Sequence, residues 1–201
     1  MLKHLTILLI LALSILASCT KNTPATTSAN SNAEATEKVT SAAPEATATA
    51  AKPAEKIKWM TIEQAAERIK QEPRKVVIDV YTDWCGWCKK MDKDTFTDPE
   101  VAALVNKHYY AVKLDAEGKD PITLNGHTYT FKPEYRSHEL AVALLQGQMS
   151  YPTTVYLDEK FNMLAPVPGY LDAKNFSKIL RYFGENHHKQ MNFQEYSKQD
   201  R

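Results

Sequence analysis

Residues 76–88 read Val76-Val77-Ile78-Asp79-Val80-Tyr81-Thr82-Asp83-Trp84-Cys85-Gly86-Trp87-Cys88. The branched run from Lys75 to Tyr81 suits a central strand covered on both faces. Two cysteines separated by two residues follow, where that strand gives way to a helix. A helix N-terminus carries unpaired N–H groups and a partial positive charge, which favour a thiolate over a thiol. The thiolate is the species that attacks a disulfide. Taken alone, the Cys-Gly-Trp-Cys motif is compatible with a redox dithiol, a metal site or a structural bridge.

Working outward, Thr61-Ile62-Glu63-Gln64 has the pattern of a capping box, with Thr61 as N-cap and Gln64 reaching back. Ile62, Ala65, Ala66 and Ile69 then share one helical face, and Pro73 closes the helix. The helix opened by the cysteines runs through Met91. A second begins at Asp98-Pro99 and turns Val101, Leu104, Val105 and His108 inward. Tyr109 to Asp115 reads as the next strand. Asn125-Gly126 is the dipeptide that best tolerates a type I′ turn, and predicts a hairpin across 120–131. A short helix follows, capped by Ser137, with Leu140, Ala141 and Leu144 inward. Thr153–Asp158 and 162–167 are joined tightly and so are antiparallel. Asp172 caps a last helix carrying Phe176, Ile179, Leu180 and Phe183, which Gly184 can end. Strands alternating with helices point to an α/β fold.

The N-terminal region has a different character. Lys3 and His4 precede an apolar run, Leu5 to Leu16, of signal-peptide length. It ends in Leu16-Ala17-Ser18-Cys19, which resembles the bacterial lipobox. Residues 1–18 are therefore expected to be a lipoprotein signal peptide, and Cys19 the lipidated first residue of the mature chain. Multiple acyl chains would give stable attachment to a membrane. Residues 20–56 hold one sizeable apolar residue, Val39. Such a segment cannot offset its conformational entropy, so 19–56 is expected to be a disordered tether spanning roughly 30–35 Å. The domain is expected over 57–186, with a polar tail over 187–201.

Composition narrows the function classes. Without Lys3, 24 basic residues face 24 acidic ones, a balance that gives no footprint for nucleic acid. The cysteines are Cys19, Cys85 and Cys88, so a zinc site would need ligands from elsewhere. His187-His188 lie in the expected tail, and His108, His127 and His138 have no ligand spacing to one another. No metal and no cofactor are expected.

The order of strand, CxxC helix, strand, helix, then Tyr151-Pro152-Thr153 opening an antiparallel pair, resembles the thioredoxin superfamily over about 57–186. It is most similar to periplasmic and lipoprotein thioredoxin-like proteins, including the C-terminal domain of the transmembrane thiol:disulfide interchange reductase. Asp83-Trp84-Cys85 and Cys88-Lys89-Lys90-Met91 carry that likeness. The resemblance implies a thioredoxin fold, a central mixed sheet flanked by helices, with a hairpin-plus-helix insertion at 117–150 before the strand that the proline opens. It implies that Cys85 is the exposed nucleophile, Cys88 the resolving thiol, and Pro152 a cis-proline beside them. Asp79 matches the buried acid that accepts a proton from Cys88, Lys113 its partner, and Gly169 a glycine of the substrate groove. From the residues alone, Asp79 could instead be an edge carboxylate in water, and Lys113 could snorkel to solvent. Trp84 and Trp87 could dock substrate, or Trp87 could pack on the hairpin. Tyr151 should narrow substrate choice by its bulk.

The departures from the family pattern matter for direction. Thioredoxin has proline between its cysteines and strong oxidants have histidine; Gly86-Trp87 is neither, which favours a reductant or a middling poise. The expectation is a thiol–disulfide oxidoreductase that reduces or isomerises disulfides of envelope proteins, recharged by a membrane dithiol reductase. Its expected site is the periplasmic face of the outer membrane. The alternatives are a net dithiol oxidase, or a binding or chaperone module whose disulfide is only a staple. A bridge over so small a loop removes little unfolded-state entropy, which argues against the staple.

Overall fold

The structure, a computed structural model, describes residues 55–199. The expected signal peptide, Cys19 and the tether up to residue 54 lie outside the described residues, as do residues 200 and 201. Trp59–Met60 forms a short strand, β1, ahead of helix α1 (Ile62–Gln71). The capping box is complete: Thr61 Oγ1 accepts from the Gln64 N–H (3.3 Å), and Gln64 Oε1 accepts from the Thr61 N–H (3.0 Å). Strand β2 (Lys75–Tyr81) leads into α2 (Gly86–Asp94), then α3 (Pro99–His108) and β3 (Tyr109–Asp115). Asp98 caps α3 by accepting from the N–H groups of Glu100 and Val101. The two strands are parallel, in a register that sets Asp79 opposite Lys113.

The 117–150 segment holds two hairpins and a helix. β4 (Ile122–Leu124) pairs with β5 (His127–Tyr129), and β6 (Phe131–Lys132) with β7 (Ser137–His138). Asn125 (φ 52°) and Gly126 (φ 79°) occupy the left-handed region that a type I′ turn requires. Helix α4 (Glu139–Leu144) is capped by His138 and not by Ser137, which lies within β7. The imidazole Nδ1 of His138 accepts from the Leu140 N–H (3.2 Å), while Nε2 sits 3.1 Å from the Asp120 carbonyl oxygen. A neutral ring with its proton on Nε2 satisfies both contacts, and so does the work usually given to a hydroxyl.

Strand β8 (Thr153–Leu157) runs antiparallel to β2, and β9 (Met163–Pro168) antiparallel to β8, giving the sheet order β1-β3-β2-β8-β9. The Gly169 N–H donates to the Pro152 carbonyl (2.8 Å). By alternation the amides of 165 and 167 also face β8, so Pro166 and Pro168 occupy outward-facing positions of this edge strand.

The period of two along β2 divides the core. Val76, Ile78 and Val80 pack with Ile62, Ala65, Leu140 and Val155 on the α1 and α4 side. Val77 packs with Met91 of α2, with Val101 and Val105 of α3, and with Phe176 and Leu180 of α5 (Ala173–Gly184). Asp79 shares that second face, so its carboxylate points into the layer that carries the cysteine helix. Residues read in sequence as a polar tail form a 3-10 turn (His187–Lys189) and helix α6 (Phe193–Ser197). Tyr196 is buried in the α5 core, and the Tyr182 hydroxyl donates to the Met191 carbonyl (2.9 Å). Two aromatics, Phe193 and Tyr196, on a five-residue helix are too few to set a period.

Candidate active site

Cys85 and Cys88 are joined as a disulfide at the N-terminus of α2, with Cα atoms 5.3 Å apart. Cys85 is the N-cap: its Sγ accepts from the Cys88 N–H (3.1 Å), and its carbonyl accepts from the Lys89 N–H (3.2 Å). The first-turn amides thus already aim at the sulfur that becomes a thiolate on reduction. The position expected to be an exposed nucleophile is covered in this disulfide form. Cys85 is 4% exposed and Cys88 2%, while Trp84 is 65% and Trp87 58% exposed. The cysteines are covered, while the two indoles of the same stretch stand exposed.

Beneath the helix lies a charged cluster. Asp79 is 1% exposed. Its Oδ2 accepts from Lys113 Nζ (2.7 Å), and its buried Oδ1 has no hydrogen-bond partner. Burial pushes the Asp79 carboxyl above the usual aspartate value, against the pull of Lys113. Lys113 does not snorkel to solvent. Its ammonium also bonds Asp92 and lies 4.9–5.1 Å from the ring centroids of Trp59, Tyr81 and Phe96. Burial opposes the lysine charge, but Asp79 and Asp92 outweigh it and hold its pKa above the ordinary value. Asp92 lies one turn beyond Cys88 on α2, so Lys113 ties the strand carboxylate to the underside of the cysteine helix.

The rim is aromatic. The Trp84 Nε1–H donates to Glu117 Oε1 (3.1 Å), and its ring meets Tyr151 edge to face at 5.9 Å. Trp87 packs against Tyr170 (5.3 Å). Lys90 lies 5.6 Å from the Tyr170 ring. The Tyr151–Pro152 peptide is cis, the form the resemblance implies. Gly169 adopts φ +96° with open space where a Cβ would stand, so the backbone conformation and not crowding calls for glycine. Among the described residues no group of three or more His, Cys, Asp or Glu side chains is placed to hold a metal ion.

The structure therefore brings together Cys85, Cys88, Asp79, Lys113, Trp84, Trp87 and Tyr151. It adds Asp92, Glu117 and Tyr170. Asp92 had a signal, since i,i+4 from Cys88 places it on the same helix face. Tyr170 follows Gly169 directly in the chain. Glu117 had none, because its role depends on how the chain leaves β3.

The thiol:disulfide interchange protein DsbD of Escherichia coli (strain K12) is 28% identical over 123 residues, which make up 60% of this chain and 18% of that protein. The DsbD C-terminal domain of Neisseria meningitidis in its reduced form has 24% identity and a TM-score of 0.41, covering 59% of this chain and 90% of that one. A disulphide isomerase of Xylella fastidiosa Temecula1 has 18% identity and a TM-score of 0.45, covering 61% and 87%. The thioredoxin-like domain model matches residues 62–184, and the chain belongs to the thioredoxin-like domain family.

Proposed function

We propose that this thioredoxin-like thiol–disulfide oxidoreductase reduces or isomerises disulfides of exported proteins in the bacterial cell envelope, tethered to a membrane through lipid on Cys19. In the reductive direction the Cys85 thiolate attacks a substrate disulfide and forms a mixed disulfide, and one substrate sulfur leaves as thiolate. Cys88 then attacks Cys85 Sγ, closes the internal disulfide and releases the second substrate thiol. Cys88 must lose a proton in a covered site. Asp79, made basic by burial, is the acceptor, and Lys113 holds its carboxylate in place. Trp84, Trp87, Tyr151, Pro152 and Gly169 form the substrate face. Electrons return from a membrane dithiol reductase. The likeness to DsbD, an interchange protein, supports the envelope setting, and the lipobox-like Leu16-Ala17-Ser18-Cys19 supports a lipid anchor on the periplasmic face of the outer membrane.

The observation that carries the reading is the Cys85–Cys88 disulfide capping α2, with the Cys88 N–H on the Cys85 sulfur and a partnerless carboxylate oxygen of Asp79 in the layer below. Its test is trapping with Cys88→Ala. Mixed disulfides through Cys85 should accumulate with envelope proteins and vanish when Cys85→Ala is added; their absence from the single variant refutes the reading. Direction is read from the equilibrium potential against glutathione. A value near about −270 mV marks a reductant, and one near about −120 mV an oxidase. Cys19→Ala should move the protein out of the membrane fraction, and retention there refutes the anchor.

A further inference from the structure

We propose that His138 is an acid-released latch on the 117–150 segment. Its neutral ring caps α4; its protonated ring leaves that cap for an acidic cleft and loosens the turn that carries Tyr151 and Pro152. The inference concerns regulation of the exchange chemistry proposed above and rests on that reading.

The neutral form is held from three directions. His138 is 1% exposed. Its N–H donates to the Ala116 carbonyl (2.6 Å), its Nδ1 accepts from the Leu140 N–H (3.2 Å), and its Nε2 faces the Asp120 carbonyl oxygen at 3.1 Å. Nδ1 accepts only while it carries no proton. A proton taken from solvent there sets N–H against N–H and ends the cap. Helix α4 has six residues, too few to persist on propensity alone, so its cap matters more than the cap of a long helix. The chain beyond α4 is tied back to it through the backbone. The Gly147 N–H donates to the Val142 carbonyl (3.0 Å), Gln148 to Leu145 (2.9 Å) and Ser150 to Gln148 (2.8 Å). The Ser150 carbonyl then accepts from Thr153 Oγ1 (2.7 Å), across the cis Tyr151–Pro152 peptide. Slack at His138 therefore reaches, by consecutive hydrogen bonds, the turn whose Tyr151 ring meets Trp84.

The charged form has somewhere to go. His138 lines a cleft of about 360 Å³ with Glu63 of α1, Tyr81 of β2, Lys113 and Asp115 of β3, and Asp120. Among the described residues three carboxylates line it against one ammonium, and that ammonium already bonds Asp79 and Asp92. On the β6 and α4 side the charges are Lys132, 3.7 Å from Glu139, and Lys119 over the Phe131 ring. A cationic imidazole thus meets net negative charge if it turns into the cleft, and a backbone N–H if it stays.

The experiment compares the full-length wild type with His138→Asn, whose Oδ1 takes the place of Nδ1 as an acceptor that does not titrate. The Asn variant also loses the Asp120 contact, a loss that does not depend on pH. Amide hydrogen exchange of the disulfide form over 139–150 is read as protection at about pH 7.5 and about pH 5. Losing an N-cap acceptor is worth about tenfold, so wild-type protection should fall about tenfold on acidification while that of His138→Asn holds. His138→Gln, which reaches Asp120 but cannot cap, should be loose at both values; if it does not fold, the Asn comparison decides alone. The reduced proteins are then assayed with insulin as the disulfide substrate. Thiolate titration acts on both alike, so the ratio of wild-type to His138→Asn rate constants isolates the latch, and it should fall several-fold on acidification. Protection that falls equally in both proteins, or in neither, overturns the proposal, as does a rate ratio that stays fixed while protection separates. If protection separates but neither protein exchanges with insulin, the exchange reading has failed and the latch on α4 stands.

Discussion

Replacing Asp79 by Asn should make the disulfide-closed protein more stable in neutral solution and change its acid stability by a constant offset only. Two effects compete at this carboxylate. Lys113 favours the ion, and burial at 1% exposure disfavours it. Burial wins, so the folded pKa lies above the ordinary value of 3.8. The folded state then holds this proton more tightly than the unfolded chain does. Its contribution to stability is fully present below about pH 3.8 and is lost as pH rises through the folded pKa. Within that window the slope is about −1.4 kcal/mol per pH unit for one group. Asparagine does not titrate, so the stability of the variant minus that of the wild type should climb by that amount per unit and then level off. The height of the plateau measures the shift directly. Lys113 does not disturb the window: its raised pKa contributes stability that is lost only above the ordinary lysine value of 10.5. Urea titrations from acid to mildly alkaline pH, with the disulfide intact in both proteins, give the curve. A difference that stays flat, or falls as pH rises, would show that the Lys113 pairing outweighs burial and that Asp79 is an ordinary ion at neutral pH. It could not then serve as a proton acceptor for Cys88.

Two further expectations concern the scaffold. In Gly184→Ala the new Cβ would stand 3.0 Å from His108 Cβ and 3.1 Å from the Tyr109 hydroxyl. That crowding between α5 and the α3–β3 junction should cost about 1–3 kcal/mol, seen as a lower urea midpoint with an unchanged slope. Thr61→Ala removes one half of the reciprocal cap on α1 and should cost about 1 kcal/mol by the same assay, whereas Thr61→Ser should restore it.

What could be read in advance and what could not divides along a physical line. The buried strands β2 and β3, the capped starts of α1, α3 and α5, and the turn at Asn125-Gly126 are local. Each is written in consecutive residues whose branching, capping or backbone freedom has one good use. Strand β1 has only two residues, too few for any period, and exists because β3 offers it an edge. The His138 cap depended on a ring nitrogen left free by a contact with Asp120, eighteen residues upstream. Site residues follow the same rule. Cys85 and Cys88 announce themselves by spacing, and Pro152 by its place in the pattern the chain resembles. The Asp92–Lys113–Asp79 cluster required the β2–β3 register and the seating of α2 to be known together. The contacts of Trp84 depend on where Glu117 and Tyr151 fall, which no short window contains.

The prolines of β9 bear on how the molecule behaves in company. An edge strand with a full row of outward N–H groups is a template on which a neighbouring chain can grow, and crowding or slow refolding makes such growth a route to aggregates. At Pro166 and Pro168 two successive outward donors are missing, and each ring stands where a recruited strand would need to lie flat. The long edge of this sheet is thereby closed to cross-chain pairing without a covering helix. A neighbouring strand that meets this edge finds no ladder to extend.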